Sequence, residues 1–286
     1  VDGIYHVVRA FKDETVEHVE GSVDPVRDLE IITTELRNKD KELMAARVSD
    51  LARKCARTKD KEIETQHQTA VEILRGLENG TDVRFLAMTA KQADIVRTWS
   101  LLTAKPVIFL INVHKDDVLK GKNKWFLKIK RWVDVHSPGS KIMPFSVSHE
   151  AELQMSETDP TTSSAPPSSA APHSNRSVSI LPKIVQHGYK SLRLIHFFTT
   201  GTDEVKCWTI RNGTNAQRAA GTIHSDMERG FICAETMHYR DFHRLGSEAE
   251  VTKAGLKAMQ GKNYIVEDGD IIFFKFNAAG GSKKKK

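Results

Sequence analysis

The sequence has few of the features that mark secreted or membrane proteins. It contains three cysteines, Cys55, Cys207 and Cys233, which are far apart and form no C-x-x-C pair. This usage favours free thiols in a reducing cytosol over a disulfide framework or a zinc site. No apolar run approaches the roughly 18 residues of a membrane span, and no secretory hydrophobic region opens the chain. We therefore predict a cytoplasmic protein that does not enter a membrane.

The overall amino-acid composition is that of a globular protein with excess positive charge. At 286 residues and 39% hydrophobic content, the chain has the length for about two domains. Its net charge of +6 favours a polyanionic partner such as RNA. Part of the excess lies in the basic tail, residues 278–286, for which a solvated end is the simpler interpretation.

A helical hairpin is predicted in the first third of the chain. Asp24-Pro25 is a typical helix start, with an N-cap followed by proline at the first helical position. From Leu36 onward apolar residues recur at coiled-coil spacings, and this pattern breaks at residues 58–61 before it resumes. Two helices of about 20 residues joined by a polar turn would form an antiparallel hairpin over residues 35–82. A structural arm is a simpler interpretation of this segment than a cofactor site.

Strands and helices alternate on both sides of this hairpin. Residues 4–8, 107–111 and 142–146 are short apolar runs, and the second is typical of a strand covered on both faces. Thr89 and Gln92 have the spacing of a capping box at the start of a helix, and another helical pattern follows the second strand. This order predicts a parallel α/β sheet.

The second half of the chain begins with a change in composition. Residues 156–179 are rich in Ser, Thr, Pro and Ala and have almost no apolar anchor, which predicts a flexible linker or inserted loop. A helix at residues 181–192 then leads to a unit of about residues 193–277. Several short strands and one short helix around residues 216–223 predict a small α+β domain there.

The second strand ends in residues of chemical interest. It is followed by Asn112, Val113, His114 and Lys115. GTP-binding proteins carry Asn-Lys-x-Asp at such a strand end, where the asparagine and the aspartate recognise guanine. A carboxylate accepts from the guanine N1 and N2 donors, whereas lysine only donates. The segment is therefore either a nucleotide site with altered base recognition or merely a strand and a loop.

Seven stretches of the sequence point to a known family. They are VDGIYHVVRAF, EGSVDPVRDLEII, KNKW, LPKI, FFTTGTDEVKCWTIRNGT, AAGTIHSDMERGFI and NYIVEDGDIIFFKFN. Together they resemble the Obg-like ATPases of the YchF type, over nearly the whole chain apart from the insertion and the tail. The resemblance implies a P-loop NTPase domain interrupted by a helical hairpin and followed by a TGS domain, a ubiquitin-like β-grasp module. It assigns residues 1–34 and 83–182 to the NTPase domain, 35–82 to the hairpin and 196–277 to the TGS domain.

The resemblance also implies a function. It implies that the chain binds and hydrolyses ATP in preference to GTP with Mg²⁺, and associates with ribosomes. The family's base-recognition element is Asn-x-x-Glu, which implies that Asn112 bonds to the adenine edge and Val113 packs on the ring. Ser146-Val147-Ser148 falls at the family's second base-contacting loop, where backbone N–H groups matter more than side chains. Lys115 replaces the glutamate, which argues against GTP and leaves ATP selectivity open.

The elements that bind a triphosphate are not found in these residues. A phosphate-binding loop needs G-x-x-x-x-G-K-[ST]. The two Gly-Lys pairs, at 121–122 and 261–262, are each followed by asparagine, and no aspartate is followed three positions later by glycine. In the family both elements lie upstream of the VDGIYH strand, so we expect further sequence before Val1. The chain alone is expected to lack the Mg²⁺ ligands and not to hydrolyse ATP at a meaningful rate.

Two functions of different class stay open. The chain is either part of an ATP-hydrolysing switch protein that binds ribosomes, or a non-catalytic module that binds RNA or ribosomes through its hairpin, TGS domain and basic surface. The coding sequence upstream of Val1 separates them, because only the first requires both missing motifs there in frame.

Overall fold

The chain divides into two units, Val1–Gly188 and Tyr189–Lys286, in a computed structural model that describes residues 1–158, 179–201 and 204–277. The basic tail and nearly all of the predicted linker, residues 156–179, lie outside the described residues. Among the described helices, none has both the length and the hydrophobicity that crossing a bilayer requires.

The first unit is built on a three-stranded parallel sheet. Its strands are β1 (Ile4–Arg9), β2 (Val107–Asn112) and β3 (Lys141–Phe145), in the order β1-β2-β3. The first five residues of β2 are buried because the strand lies between two partners and is covered on both faces. The predicted parallel α/β sheet is confirmed, with strand limits within one or two residues of those expected.

Seven α-helices and one short 3-10 helix, Val83–Phe85, accompany this sheet among the described residues. The α-helices are α1 (Pro25–Arg57), α2 (Lys61–Glu78), α3 (Ala90–Trp99), α4 (Lys115–Lys120), α5 (Phe126–His136), α6 (Val147–Thr158) and α7 (Leu181–Ser191). One face of the sheet packs against the start of α1 and against α5, where Leu29 and Ile129 meet Phe109. The other face packs on α7 through Ile184. The second unit begins at Tyr189, in the last turn of α7.

The helices α1 and α2 form the predicted hairpin. The Asp24 carboxylate accepts hydrogen bonds from the first-turn backbone, and Asp60 caps α2 in the same way. α1 has 33 residues rather than about 20, so the predicted boundary between residues 34 and 35 falls inside it. No proline or glycine interrupts the helix after Pro25, and Met44 and Leu51 bury their side chains against α2 and α3.

The second unit is a small α+β fold, as predicted. Its mixed sheet has the order β5-β4-β8-β6-β7. The strands are β4 (Leu194–Thr200), β5 (Val205–Arg211), β6 (Phe231–His238), β7 (Ala258–Gln260) and β8 (Asp270–Phe276), and the helices are α8 (Ala216–Ile223), α9 (Ser225–Arg229), α10 (Tyr239–Leu245) and α11 (Glu248–Lys253). Only α8 was expected, because α9, α10 and α11 have five to seven residues and carry no readable periodicity. Side chains of the preceding residue, such as His224 before α9, cap them instead.

Candidate functional site

The carboxyl ends of β2 and β3 bring the predicted base-site residues together. Asn112 is the last residue of β2 and lies opposite Phe145, the last residue of β3. Immediately beyond them, the Val113 N–H donates to the Phe145 carbonyl at 2.9 Å. Parallel strands end at a common edge, which is where ligands bind in open α/β sheets. The two sequence segments assigned to base recognition are therefore neighbours in space.

A single hydrogen bond fixes the orientation of Asn112. Its side-chain Oδ1 accepts from the backbone N–H of Val147 at 3.2 Å. Because an N–H only donates, the amide oxygen must face Val147 and the Nδ2 group faces away. Within the described residues no hydrogen bond engages Nδ2. Asn112 therefore keeps two donor hydrogens and one unused lone pair on Oδ1.

The second predicted segment, Ser146-Val147-Ser148, is not a loop throughout. Val147 and Ser148 form the first turn of α6, and only Ser146 precedes the helix. The base-contacting role of this segment stays a prediction. The N–H groups of a first helical turn lack an intrahelical acceptor. That free donor is what the Asn112 side chain uses. Ser146 is buried and shares a hydrogen bond of 3.1 Å with the Ser148 hydroxyl, whereas the Val147 side chain is exposed.

Val113 occupies a different environment from Asn112. Its side chain is 1% exposed and belongs to the core between the sheet and α5. The predicted packing of Val113 on an adenine ring stays a prediction, and it would require this side chain to become accessible.

Lys115 has a partner that sequence reasoning missed. Its ammonium forms an ion pair with the Glu152 carboxylate, which joins the start of α4 to α6. The hydrogen bond from Lys115 lowers the pKa of Glu152 below its ordinary value. The site thus contains a carboxylate near position 115, although the chain has lysine there. No local spacing could have indicated this pairing, because the two residues are 37 positions apart.

Comparisons with known proteins agree over almost the whole chain. A family model described as YchF-GTPase_C, a protein of unknown function (DUF933), matches residues 194–277. Obg-like ATPase 1 of Oryza sativa subsp. japonica is 48% identical over 99% of this chain and 70% of that protein. Obg-like ATPase 1 of Homo sapiens is 44% identical with the same coverage.

A solved structure extends this agreement to the fold. The structure of the Schizosaccharomyces pombe YchF GTPase matches with a TM-score of 0.79 and 38% identity, over 96% of this chain and 72% of that one. A match of this extent covers both the parallel sheet and the mixed sheet, not one motif. The chain belongs to the Obg-like ATPase (YchF) family, a family of P-loop GTPases.

Proposed function

We propose that the protein is a nucleotide-dependent switch that recognises adenine, in preference to guanine, at the carboxyl ends of β2 and β3. The hydrogen bond between the Asn112 Oδ1 and the Val147 N–H carries this proposal. It leaves Nδ2 as a donor beside the second lone pair of Oδ1. Adenine presents a matching pair, the N7 acceptor and the N6 amino donor, whereas guanine presents two acceptors at N7 and O6. One amide can bond twice to adenine but not to guanine in this way.

Hydrolysis of ATP needs more than residues 1–286. The transition state of phosphoryl transfer is stabilised by a phosphate-binding loop and Mg²⁺, and the sequence contains neither G-x-x-x-x-G-K-[ST] nor D-x-x-G. We assign recognition of the base to these residues. Hydrolysis would require a phosphate-binding loop as well.

The second unit is proposed to be a TGS domain that docks on ribosomes in the cytoplasm. The family-model match at residues 194–277 and the net charge of +6 support this assignment. The alternative is a non-catalytic RNA- or ribosome-binding module that uses the hairpin and the second unit. Both predict co-sedimentation with ribosomes that weakens as salt is added, because phosphate contacts release counterions. If the amount of protein that co-sediments does not change with salt concentration, the electrostatic explanation is wrong.

Base recognition is tested with nucleosides, which need no phosphate loop. Adenosine and guanosine are titrated into the ¹⁵N-labelled chain, and amide shifts are followed by NMR. We expect adenosine to bind in the millimolar range with shifts at residues 112 and 146–148, guanosine more weakly, and Asn112→Ala to abolish the difference. Asn263→Ala, an exposed asparagine in the second unit, is the control. Equal binding of both nucleosides, unaffected by Asn112→Ala, would overturn the proposal.

A further inference from the structure

A pocket of about 730 Å³ lies beside the carboxyl end of β1, and none of the five base-site residues lines it. Its walls come from the segment after β1, from α4 and from the KNKW segment, residues 122–125, between α4 and α5. The lining includes Phe11, Lys12, Lys122, Lys124 and Trp125. Its volume is within the range of small-ligand sites, about 300–1,000 Å³. The base site does not explain this pocket.

Asn123 holds one wall of the pocket in place. Its Nδ2 donates to the Ala10 carbonyl at 3.1 Å and to the Asp117 carboxylate at 2.7 Å. Its Oδ1 accepts from the Trp125 N–H at 2.8 Å. One side chain therefore connects the end of β1, α4 and the start of α5. The KNKW segment is fixed by these bonds rather than free to collapse into the pocket.

Arg9 holds the segment that contributes Phe11 and Lys12 to the pocket. Its guanidinium donates to three backbone carbonyls of the segment that follows β1, those of Phe11, Asp13 and Val16. The same guanidinium lies 5.0 Å from the centroid of the Phe11 ring. These bonds fold the segment after β1 back toward Arg9, and Phe11 and Lys12 of this segment line the pocket.

The pocket combines cations with an aromatic ring. Lys12, Lys122 and Lys124 are exposed and, within the described residues, form no ion pair. Among the described residues that line the pocket, the acidic one is Asp117, and its carboxylate already accepts a hydrogen bond from Asn123. Lys124 and Lys128 place their ammonium groups 5.2 and 5.0 Å from the centroid of the partly buried Trp125 ring. A phosphate would find unneutralised lysines here, and a base would stack on the Trp125 ring by displacing one of these ammonium groups.

The positive charge continues beyond the pocket. Residues 120–131 contain six lysines and arginines and no aspartate or glutamate, and one of the six, Lys130, forms an ion pair with Asp134. This is more charge than one nucleotide requires, and it runs from the pocket onto the exposed side of α5. We propose that the pocket and this basic segment bind single-stranded RNA, with one base stacked on Trp125 and the adjoining phosphates on the lysines. The proposal deepens the RNA-binding alternative above and is independent of adenine recognition at Asn112.

The test measures RNA affinity of the full chain by fluorescence anisotropy. The probe is a labelled oligouridylate of about 12 nucleotides, within the site sizes of single-strand binders. We expect Lys122→Gln/Lys124→Gln to weaken binding about tenfold or more and to reduce the salt slope by about 1.4, since each lost phosphate contact removes about 0.7. Lys91→Gln/Lys183→Gln removes two exposed lysines elsewhere on the first unit and should change affinity less than about twofold.

Stacking is tested separately at Trp125. Trp125→Leu should weaken binding about tenfold, whereas Trp125→Phe keeps a ring and should lose about threefold or less. Unfolding midpoints of all variants report whether they fold. Equal losses in the two lysine pairs, or no loss at Trp125→Leu in a folded protein, would overturn the proposal. So would displacement of the RNA by a polyglutamate peptide more readily than by unlabelled RNA. Asn112→Ala should leave RNA affinity unchanged, which keeps this test apart from that of adenine recognition.

Discussion

Asp40, in α1, accepts two hydrogen bonds from Thr103, which lies four residues before β2. The Asp40 Oδ2 accepts from the Thr103 backbone N–H at 2.7 Å and from its hydroxyl at 2.6 Å, and Oδ1 accepts from the Leu102 N–H at 2.9 Å. Both Asp40 and Thr103 are 3% exposed. A buried carboxylate with three donors fastens the helical hairpin to the segment that leads into the central strand.

Removal of this carboxylate should destabilise the first unit. We expect Asp40→Ala to lower the free energy of unfolding by about 2–4 kcal/mol, because buried donors at Leu102 and Thr103 lose their acceptor. Urea denaturation followed by circular dichroism measures the loss. Asp50→Ala is the control, since the ion pairs that the described residues show for Asp50 are exposed and lie within α1, and it should change the urea midpoint far less than Asp40→Ala. Similar losses in the two variants would refute the anchoring role.

His6 should make stability depend on pH. It packs on Phe109 with ring centroids 5.5 Å apart, and burial lowers the pKa of His6 to about 4. Between about pH 6.5 and pH 4 the unfolded chain binds a proton that the folded chain does not. Stability should therefore fall as pH drops through this window, by up to about 3 kcal/mol, with no further loss from His6 below it.

The matched variants for this effect are His6→Leu and His67→Gln. His6→Leu should flatten the dependence of the urea midpoint on pH between about 6.5 and 4, whereas His67→Gln, on α2, should not. An unchanged slope in His6→Leu would show that other groups cause the dependence.

The ion pair of Lys115 with Glu152 offers a test of base selectivity. Lys115→Glu places a carboxylate three positions after Asn112, where it can accept from guanine N1 and N2. Affinity for guanosine relative to adenosine should then rise about tenfold, as expected for a bond to a charged group. Lys115→Glu/Glu152→Lys restores an ion pair in reverse, so its unfolding midpoint should exceed that of Lys115→Glu. A nucleoside preference unchanged in both variants would remove position 115 from base recognition.

Purified residues 1–286 should not release phosphate from ATP above background. The reason is the lack of G-x-x-x-x-G-K-[ST] and D-x-x-G within them. Phosphate release is measured with and without Mg²⁺, and Asn112→Ala serves as the control for contaminating ATPases, whose activity it cannot alter. Steady, Mg²⁺-dependent release that falls in Asn112→Ala would contradict this prediction.

Local rules predicted much of the fold. Asp24 and the Thr89–Gln92 capping box mark helix starts because a cap needs only residues within one turn. The apolar run of β2 identified a central strand because burial on both faces excludes polar residues. The helices α4 and α6 were missed, since α4 has only six residues and α6 carries little amphipathic pattern.

The sequence by itself determined that Asn112 ends a buried strand and that no phosphate-binding loop occurs among these residues, because both are readable from neighbouring positions. Only the tertiary structure decided that the Val147 N–H orients the Asn112 amide and that Glu152 neutralises Lys115. It also decided that Asn123 holds a basic pocket against β1. These contacts join residues 35 to 113 positions apart. Periodicity and capping report on residues within a single helix or strand. Contacts between distant segments form only when the parallel strands align their carboxyl ends at one edge of the sheet.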